Sequence, residues 1–338
     1  MARLVFITQV ADPADPNLGA TVGMIAALAR RLDEVAVIAD RGDATALPAN
    51  VRLRTFGAAS RPERLRRFVA ALRAELEPRP LAVVAHMVPL YAVVAAPLVR
   101  PRRIPLVLWY AHWKSHLVLR TAHALATRVV STEPGSFPFA SRKLTVTGQA
   151  TDVAQFTCEP RAAGTPFRVA ALGRYSPGKR LEELVEGVRI AREHGVDARL
   201  DLLGTATTPA EQAYREELDR LVAGLDWASA GGPVPRTEIP ALLRDVDAVA
   251  TNFASPDRIV FEASAACRPV LVSYAGFRDL VAPEWTFELG NPASFADALG
   301  RLVALGDEER AAIGRELRAR VERDHSVDTW AEKVLALL

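Results

Sequence analysis

The sequence predicts an α/β protein of two domains, each built on a parallel β-sheet, and three observations support this fold class. The chain has 338 residues, more than one hydrophobic core usually organises. Short runs rich in Val, Ile and Leu alternate with longer helical stretches along the whole chain. Residues 157–166, which are rich in Gly, Pro and small side chains, predict a linker between two sets of such elements.

The first set begins with a buried strand at residues 4–7, followed by a loop and a helix at residues 21–31. A second helix is predicted at residues 63–77 from its helical spacing of apolar residues. Further strands are predicted at residues 35–38, 51–56, 81–84, 106–109, 128–131 and 143–146.

Residues 81–99 contain no Asp, Glu, Lys or Arg, which is typical of a transmembrane helix. His86, Pro89 and Pro97 interrupt this stretch, however, and its first residues have the pattern of a buried strand. We therefore favour a strand followed by a buried helix over a membrane span.

The second set begins with a strand at residues 167–172 and a helix at residues 181–193. Further strands are predicted at residues 198–203, 248–250 and 270–273, and further helices at residues 308–322 and 329–338. We assign residues 1–157 to the first domain, with the last helix (about residues 325–338) packing back on it, and residues 158–324 to the second. Two such domains facing each other would form a cleft at the carboxyl ends of both sheets.

The composition argues against several classes of protein. The formal net charge of +2 gives no general attraction to nucleic acid. Cys158 and Cys267 are too few for a disulfide framework, and they fall in no metal-binding spacing. The first residues, MARLVFITQV, lack the pattern of a cleaved signal sequence. These features favour a reducing cytoplasm.

The motifs GxGxxG, GxxxxGK[ST] and GxSxG do not occur, so the strongest markers of dinucleotide redox, ATP hydrolysis and serine hydrolysis are missing. In the second set, Arg174 follows a strand and Lys179 precedes the helix at residues 181–193. Two cations beside the unpaired N–H groups of a helix N-terminus suit a diphosphate. A basic loop facing Glu182 and Glu183 explains the same residues equally well.

Glu262 is the second candidate. It stands at the predicted start of a helix of small residues, 262–266, after the strand that ends near Ala250. A carboxylate there can accept hydrogen bonds from two ribose hydroxyls. A carboxylate in a first helical turn also favours the helix dipole without any ligand, so the residue types leave both interpretations open.

The order of these features resembles glycosyltransferase family 4, also called group 1. The resemblance rests on Gly173-Arg174 and Lys179 after a strand, then on Glu262-Ala263 and Pro269 further along. The segments that match the family between and before them are residues 8–10, 15–19, 109–112, 146–152, 232–235, 238–243 and 246–249. Each motif is weakly specific, but together they span nearly the whole chain in the right order. The first-half motifs resemble a bacterial branch of the family.

Several properties follow from this resemblance as expectations. The family has the GT-B fold, in which two Rossmann-like parallel α/β domains face each other across a cleft. Its members move a sugar from a nucleoside diphosphate to an acceptor and retain the configuration of the anomeric carbon. The donor is a co-substrate, so no resident cofactor is implied.

The resemblance also implies donor-binding roles for matching residues. Arg174 and Lys179 would neutralise the donor diphosphate and so take part in catalysis, and Glu262 would bind the nucleotide ribose. Backbone N–H groups near Arg258 and Ile259 would hold phosphate oxygens.

Further roles are implied near the base and in the first domain. Val234 would line the nucleotide base, and Gly19 would let the backbone approach the donor phosphate where a Cβ would obstruct it. His112 would contact the donor sugar near the reacting carbon. His86 is a candidate for the acceptor side, although a hydrogen-bonded core histidine explains it as well.

The chain departs from the family pattern in places that leave the donor sugar open. The family has a second Glu eight positions before the ribose Glu, and Ala254 stands there. Asp257, at a position where the family commonly has Gly, is the expected substitute. Cys267 replaces a usual Gly before Arg268.

Asp245 and Asp247 form a DxD sequence, the metal motif of a different glycosyltransferase fold. Here they fall where a helix ends and a strand begins, and turn chemistry accounts for both. We therefore predict no essential metal.

Arg64, Arg67 and Arg73 on the helix at residues 63–77 raise the alternative of peripheral contact with an anionic membrane at its inner face. Acidic residues are interspersed among them, so we favour a solvated helix face.

The sequence thus predicts a glycosyltransferase, of the hexosyltransferase class, acting on an unidentified polysaccharide, glycolipid or natural product. Two alternatives remain: another enzyme on this fold, such as an epimerase or phosphorylase, and a non-catalytic partner that binds nucleotide sugars. The missing Glu at Ala254 keeps the second alternative open.

Overall fold

The structure, a computed structural model, describes residues 2–15, 17–159 and 166–338. The chain divides into two compact units: Met1–Asp152 with Asp324–Leu338 forms unit 1, and Val153–Arg323 forms unit 2. Residues 160–165 of the predicted linker lie outside the described residues, as does Pro16 in the segment matched at residues 15–19.

Unit 1 is built on a parallel sheet. Its strands are β1 (Arg3–Ala11), β2 (Glu34–Gly42), β3 (Val51–Thr55), β4 (Val83–His86), β5 (Leu106–Trp109), β6 (Arg128–Ser131) and β7 (Leu144–Val146). They form a seven-stranded sheet in the order β3-β2-β1-β4-β5-β6-β7. The helices between them are α1 (Thr21–Ala29), α2 (Arg61–Ala74), α3 (Pro89–Val99) and α4 (Leu117–Leu125).

The central strand β1 shows why this sheet forms. Its residues are buried except Gln9, as expected for a parallel strand covered on both faces. Because side chains alternate along a strand, Val5 and Ile7 enter one hydrophobic cluster and Leu4 and Phe6 enter another. Unit 1 therefore has a core on each face of its sheet.

Unit 2 repeats this architecture with fewer strands. Its strands are β8 (Phe167–Arg174), β9 (Ala198–Thr205), β10 (Ala228–Gly231), β11 (Ala248–Thr251) and β12 (Val270–Val272), in the sheet order β10-β9-β8-β11-β12. Its helices are α5 (Leu181–Glu193), α6 (Pro209–Val222), α7 (Ile239–Arg244), α8 (Arg258–Ala265), α9 (Pro292–Ala304) and α10 (Asp307–His325), whose end belongs to unit 1. Val169 and Ala171 of β8 face one cluster, and Ala170 and Leu172 face the other.

The last helix, α11 (Val327–Leu335), packs on unit 1. Trp330 is fully buried there and contacts Phe6 edge-on, with ring centroids 6.5 Å apart. The Ser326 side chain accepts a hydrogen bond from the Thr329 N–H and caps the helix. This cap explains why the helix begins before the predicted residue 329.

The structure corrects the sequence prediction at several boundaries. Strand β10 was not predicted, because its residues, Ala228–Gly231, are small and carry no apolar pattern. The interpretation of residues 81–99 as a strand and a helix is confirmed by β4 and α3. Among the described residues, no helix is both long and apolar enough to cross a bilayer.

The two cysteines are paired, which the sequence prediction missed. Cys158 and Cys267 form a disulfide across a sequence separation of 109 residues within unit 2. Cys267 follows α8 with a φ of 56°, in the left-handed region that favours glycine. No local pattern marks a pairing between residues so far apart in the chain.

Three of the arginines of α2, Arg64, Arg66 and Arg67, have acidic partners. Arg66 and Arg67 both form ion pairs with Glu63, and Arg64 lies 3.3 Å from Asp40. This arrangement fits the solvated helix face that the sequence favours.

Candidate functional site

Two of the predicted donor-binding residues, Arg174 and Lys179, lie at one end of the unit 2 sheet. Arg174 ends β8, and Lys179 lies in a short 3-10 turn at residues 177–179. Strands β8 and β11 are parallel neighbours, so their carboxyl ends lie at the same end of the sheet. The chain passes from β8 to its neighbour β9, whereas β11, which follows later in the chain, pairs with the other side of β8. Such a reversal of strand order is where open α/β sheets bind ligands.

Lys179 is held in place by close contacts. Its side chain is buried, and Nζ lies 2.5 Å from Asp257 Oδ2 and donates to the Leu172 carbonyl at 3.1 Å. Gly173 has a φ of +135°, and a Cβ there would lie 2.4 Å from the lysine Nζ. The positive φ therefore favours glycine at position 173, and a Cβ there would also displace the end of the Lys179 side chain.

Asp257 precedes α8 but does not cap it. Its carboxylate accepts hydrogen bonds from Lys179 Nζ and, at 3.3 Å, from Thr251 Oγ1, and among the described residues no side chain caps the helix. The N–H groups of the first turn, which begins at Arg258 and Ile259, thus lack the usual side-chain acceptor. An uncapped helix start beside a lysine suits an anion. Asp257, the expected substitute for the missing Glu, thus forms an ion pair with Lys179.

The position of Glu262 differs from the prediction. Helix α8 begins at Arg258, so Glu262 lies in its second turn and not at its start. The dipole effect is confined to the first turn, so it no longer accounts for this carboxylate. The Glu262 side chain is only 3% exposed, and Arg236 Nη2 lies 2.6 Å from its Oε1. This contact has the distance of an ion pair without the alignment of a hydrogen bond.

Arg258 lies beside these charges. Burial lowers the pKa of its guanidinium, the nearby Glu262 carboxylate raises it, and Arg236 lowers it further. Lys179, Asp257, Arg258, Glu262 and Arg236 are thus linked by contacts or by direct electrostatic interaction. We call these five residues the charge cluster.

Arg174 lies at the same end of the sheet but pairs with a different carboxylate, Glu211. Its guanidinium lies 3.1 Å from Glu211 at the start of α6, and its side chain is 60% exposed. Glu211 also accepts hydrogen bonds from Thr207 and Thr208. Hydrogen bonding by Thr207 is the largest effect that lowers the Glu211 pKa, so the carboxylate is ionised beside Arg174.

Val234 lies in the loop that follows β10. It is partly buried and packs against the hydrophobic cluster that contains Ile259. The loop and the start of α8 therefore pack against the same hydrophobic cluster of unit 2.

In unit 1, His86 has the contacts of a core histidine. It is buried at the end of β4, with Nδ1 3.0 Å from Thr8 Oγ1. Its ring packs between Phe6 and Trp109, at centroid distances of 5.5 Å and 4.6 Å. These contacts fit the alternative of a hydrogen-bonded core residue.

Gly19 and His112 lie in loops after β1 and β5. A Cβ on Gly19 would lie 2.5 Å from the Pro13 carbonyl oxygen and 2.7 Å from that of Asp15, so the loop itself requires glycine there. His112 is exposed, and its Nδ1 accepts a hydrogen bond from the Lys114 N–H at 3.0 Å.

The DxD sequence lies at the opposite end of the sheet from the charge cluster. Asp245 follows α7, and Asp247 precedes β11 and accepts a hydrogen bond from the Arg168 N–H at 2.7 Å. Asp247 thus joins the amino ends of β8 and β11.

Two residues of this region were missed by the sequence analysis. Arg236 lies in an exposed loop, and its partner Glu262 is distant in the sequence. The Asn252 side chain donates to the Arg180 carbonyl at 3.1 Å and to Glu183 at 2.6 Å, which fastens the end of β11 to the start of α5. Neither residue has a local signal, because each acts through a tertiary contact.

Comparisons with known proteins agree with this architecture. A profile of the family described as "Glycosyl transferase-like" matches residues 188–336. No curated protein sequence matches the chain. The solved structure of HepE from Anabaena with UDP-glucose is 18% identical, with a TM-score of 0.76 over 100% of both chains. A glycosyltransferase of Rickettsia africae is 12% identical, with a TM-score of 0.78 over 99% of this chain and 97% of its own. Sucrose-phosphate synthase of Thermosynechococcus elongatus is 16% identical, with a TM-score of 0.75 over 100% of this chain and 98% of its own.

The predicted fold class is thereby confirmed: two parallel α/β units match GT-B glycosyltransferase structures. The chain carries a glycosyltransferase-like family domain, and its structural neighbours include glycosyltransferases. The matched segment contains Arg236, Asp257, Arg258 and Glu262 of the charge cluster, whereas Arg174 and Lys179 precede it.

Proposed function

We propose that this chain is a retaining glycosyltransferase of family 4 that moves a sugar from a nucleoside diphosphate to an acceptor hydroxyl. The proposal rests on the charge cluster, which lies where the strand order of unit 2 reverses. The glycosyltransferase-like domain at residues 188–336 and the likeness to HepE, solved with UDP-glucose, support it.

The donor would lie along α8. Its diphosphate would be bound by Lys179 and by the uncapped N–H groups at Arg258 and Ile259, since anions favour a helix N-terminus. The ribose hydroxyls would donate to Glu262, and the base would lie against the loop of Val234.

In the proposed reaction, the bond between the anomeric carbon and the phosphate oxygen breaks, and its electron pair leaves with the phosphate. The acceptor hydroxyl oxygen forms the new bond to the anomeric carbon, and its proton passes to the departing phosphate oxygen. Lys179 and the first-turn N–H groups of α8 stabilise the negative charge that develops on the leaving group. We propose that no metal takes part, so turnover should be unchanged in EDTA.

The direct test is a screen with UDP-, GDP- and dTDP-sugars. We expect at least one of them to raise the melting temperature and to be consumed with an acceptor, and the anomeric configuration to be retained in the product. Lys179→Ala should lower turnover by about a hundredfold, as when one oxyanion donor is lost. Arg189→Ala, which removes a positive charge from the exposed face of α5, is the matched control. Absence of any stabilising nucleotide sugar, or unchanged turnover in Lys179→Ala, would contradict the proposal.

A second function is favoured by one observation. Ala254 is exposed where the family has a carboxylate, and the nearby Asp257 is engaged by Lys179. A partner protein that binds nucleotide sugars without catalysis would keep the ribose contact and lack the sugar contact. Transfer by the purified chain alone would exclude this alternative, and binding without transfer would establish it.

A further inference from the structure

The charge cluster contains two ion pairs, Lys179–Asp257 and Arg236–Glu262, and both are largely buried. The Arg236 side chain is 14% exposed and that of Glu262 is 3% exposed. Arg236 lies on a 3-10 turn (Arg236–Glu238) in the loop between β10 and α7, which has Pro235 before it and Pro240 after it. Prolines restrict the backbone on both sides, so the loop presents the arginine with little conformational freedom.

A buried carboxylate needs a partner of opposite charge. Removing a charge from water without such a partner costs free energy. Arg236 supplies the compensating charge at 2.6 Å from Oε1, and its guanidinium makes no side-chain hydrogen bond elsewhere among the residues that the structure describes. The Arg236 side chain therefore pairs with Glu262.

The pair occupies one carboxylate oxygen, Oε1, which is buried, so a ligand hydroxyl would have to reach the other oxygen, Oε2. Arg236 approaches Oε1 at ion-pair distance, yet Oε1 receives no aligned hydrogen bond within the described part of the chain. A carboxylate has about four lone-pair positions on its two oxygens. An oriented carboxylate with one oxygen not taken up by Arg236 is what a ligand with adjacent hydroxyls requires.

We propose that Arg236 is a positioning residue that makes the site selective for ribonucleoside over deoxyribonucleoside diphosphates. It acts through Glu262, by fixing the orientation of the carboxylate that receives the ribose hydroxyls. The inference rests on the proposed function, because it takes the Glu262 ligand to be a ribose. It adds a selectivity residue and a substrate class, namely sugars carried on ribonucleotides.

The experiment compares the affinities of UDP, 2′-deoxy-UDP and 3′-deoxy-UDP by calorimetry. GDP and ADP and their 2′-deoxy and 3′-deoxy forms are measured as well, so that a preference of the protein for one base does not decide the outcome. The variants are Arg236→Ala, Arg236→Lys, Glu262→Gln and the double variant Arg236→Ala/Glu262→Gln. Arg244→Ala, which removes an exposed arginine at the end of α7, is the matched control. Melting temperatures verify that each variant is folded.

We expect the wild-type chain to prefer the ribonucleotide by about ten- to a hundredfold, the range for a hydrogen bond to a charged group. Glu262→Gln and Arg236→Ala should each remove most of this preference, and the double variant should remove no more than Glu262→Gln alone. Arg236→Lys should restore part of the preference, and Arg244→Ala should leave it unchanged.

The contrary outcomes separate the two proposals. If Arg236→Ala keeps the full hydroxyl preference while Glu262→Gln loses it, the role of Arg236 is wrong and the proposed function stands. If no nucleoside diphosphate binds the wild-type chain, or if Glu262→Gln leaves the preference intact, the proposed donor site is wrong and this inference falls with it.

Discussion

Lys179 lies 2.5 Å from Asp257, and Arg174 lies 3.1 Å from Glu211. Both cations assigned to the donor diphosphate are therefore paired with carboxylates of unit 2. A phosphate that binds Lys179 must share or displace the Asp257 contact, so we expect Asp257 to lower the affinity of this site for anions.

A first prediction at this scale concerns Asp257→Asn. Removing the negative charge frees Lys179, so we expect the affinity for UDP, or for the diphosphate that binds best, to rise by about tenfold, equivalent to about 1.4 kcal/mol. Calorimetry on the wild type and the variant measures this change. Unchanged diphosphate affinity with a loss of sugar turnover would instead assign Asp257 to the donor sugar, as the family pattern implies.

A second prediction concerns His123, whose Nε2 lies 2.7 Å from Ser141 Oγ. Burial, and then the nearby Lys143, lower the pKa of His123 below its ordinary value of 6.5. Below about pH 6.5 the unfolded chain thus binds more protons than the folded one, so the free energy of unfolding falls as the pH falls. Denaturation at pH 8 and pH 5.5 should show a smaller loss in His123→Asn than in the wild type. Equal losses would mean that His123 titrates alike in both states.

At the scale of helices and strands, close packing decides where glycine is needed. Gly187 lies within α5, where a Cβ would come within 2.5 Å of Phe295 Cδ1 and 2.8 Å of the Pro292 carbonyl oxygen on α9. Gly300 also lies in a helix, α9, but the nearest atom to its Cβ position is 3.9 Å away, on Val196. The two glycines have the same local propensity and different tertiary surroundings.

These surroundings predict opposite effects of the same substitution. Alanine is favoured over glycine by about 1 kcal/mol within a helix, so Gly300→Ala should stabilise the protein by about that amount. Gly187→Ala gains the same helix propensity but overpacks the contact between α5 and α9. We therefore expect the free energy of unfolding to fall by about 1–2 kcal/mol. Urea denaturation of both variants provides the measurement. Stabilisation by both substitutions would show that α9 shifts without cost.

At the scale of the whole molecule, the disulfide distinguishes the two units. It lies in unit 2, where it ties Cys158, early in that unit, to Cys267 at the end of α8. The chain between them includes β8 through β11, so the bridge restricts most of this unit when it unfolds. Unit 1 contains neither cysteine.

Reduction should therefore destabilise unit 2 selectively. The bridge closes a loop with a sequence separation of 109 residues; chain entropy predicts about 4.7 kcal/mol for a loop of about 100 residues, and we expect a loss of about 2–5 kcal/mol. Hydrogen exchange should lose protection in β8–β12 on adding dithiothreitol and stay unchanged in β1–β7. Cys158→Ser should behave like the reduced wild type and be insensitive to the reductant. Equal protection before and after reduction would contradict this role for the bridge.

The sequence by itself determined the fold class, because alternating apolar strands and helices encode parallel α/β units through local periodicity. It also located the main candidate residues near one sheet edge, since residues that follow parallel strands meet at their carboxyl ends. Arg174 and Lys179 were selected in this way, and they remain predicted donor-binding residues. Element ends were less accurate, as the start of α8 at Arg258 illustrates.

Only the tertiary structure decided which of these groups contact each other. Lys179 and Asp257 are 78 residues apart in the chain, and the two cysteines 109, so local propensity carries no information about either pairing. The same holds for Arg236 with Glu262 and for His86, whose partners Thr8, Phe6 and Trp109 come from other strands. Periodicity fixes which face a side chain occupies, whereas the identity of its neighbour depends on how distant segments pack.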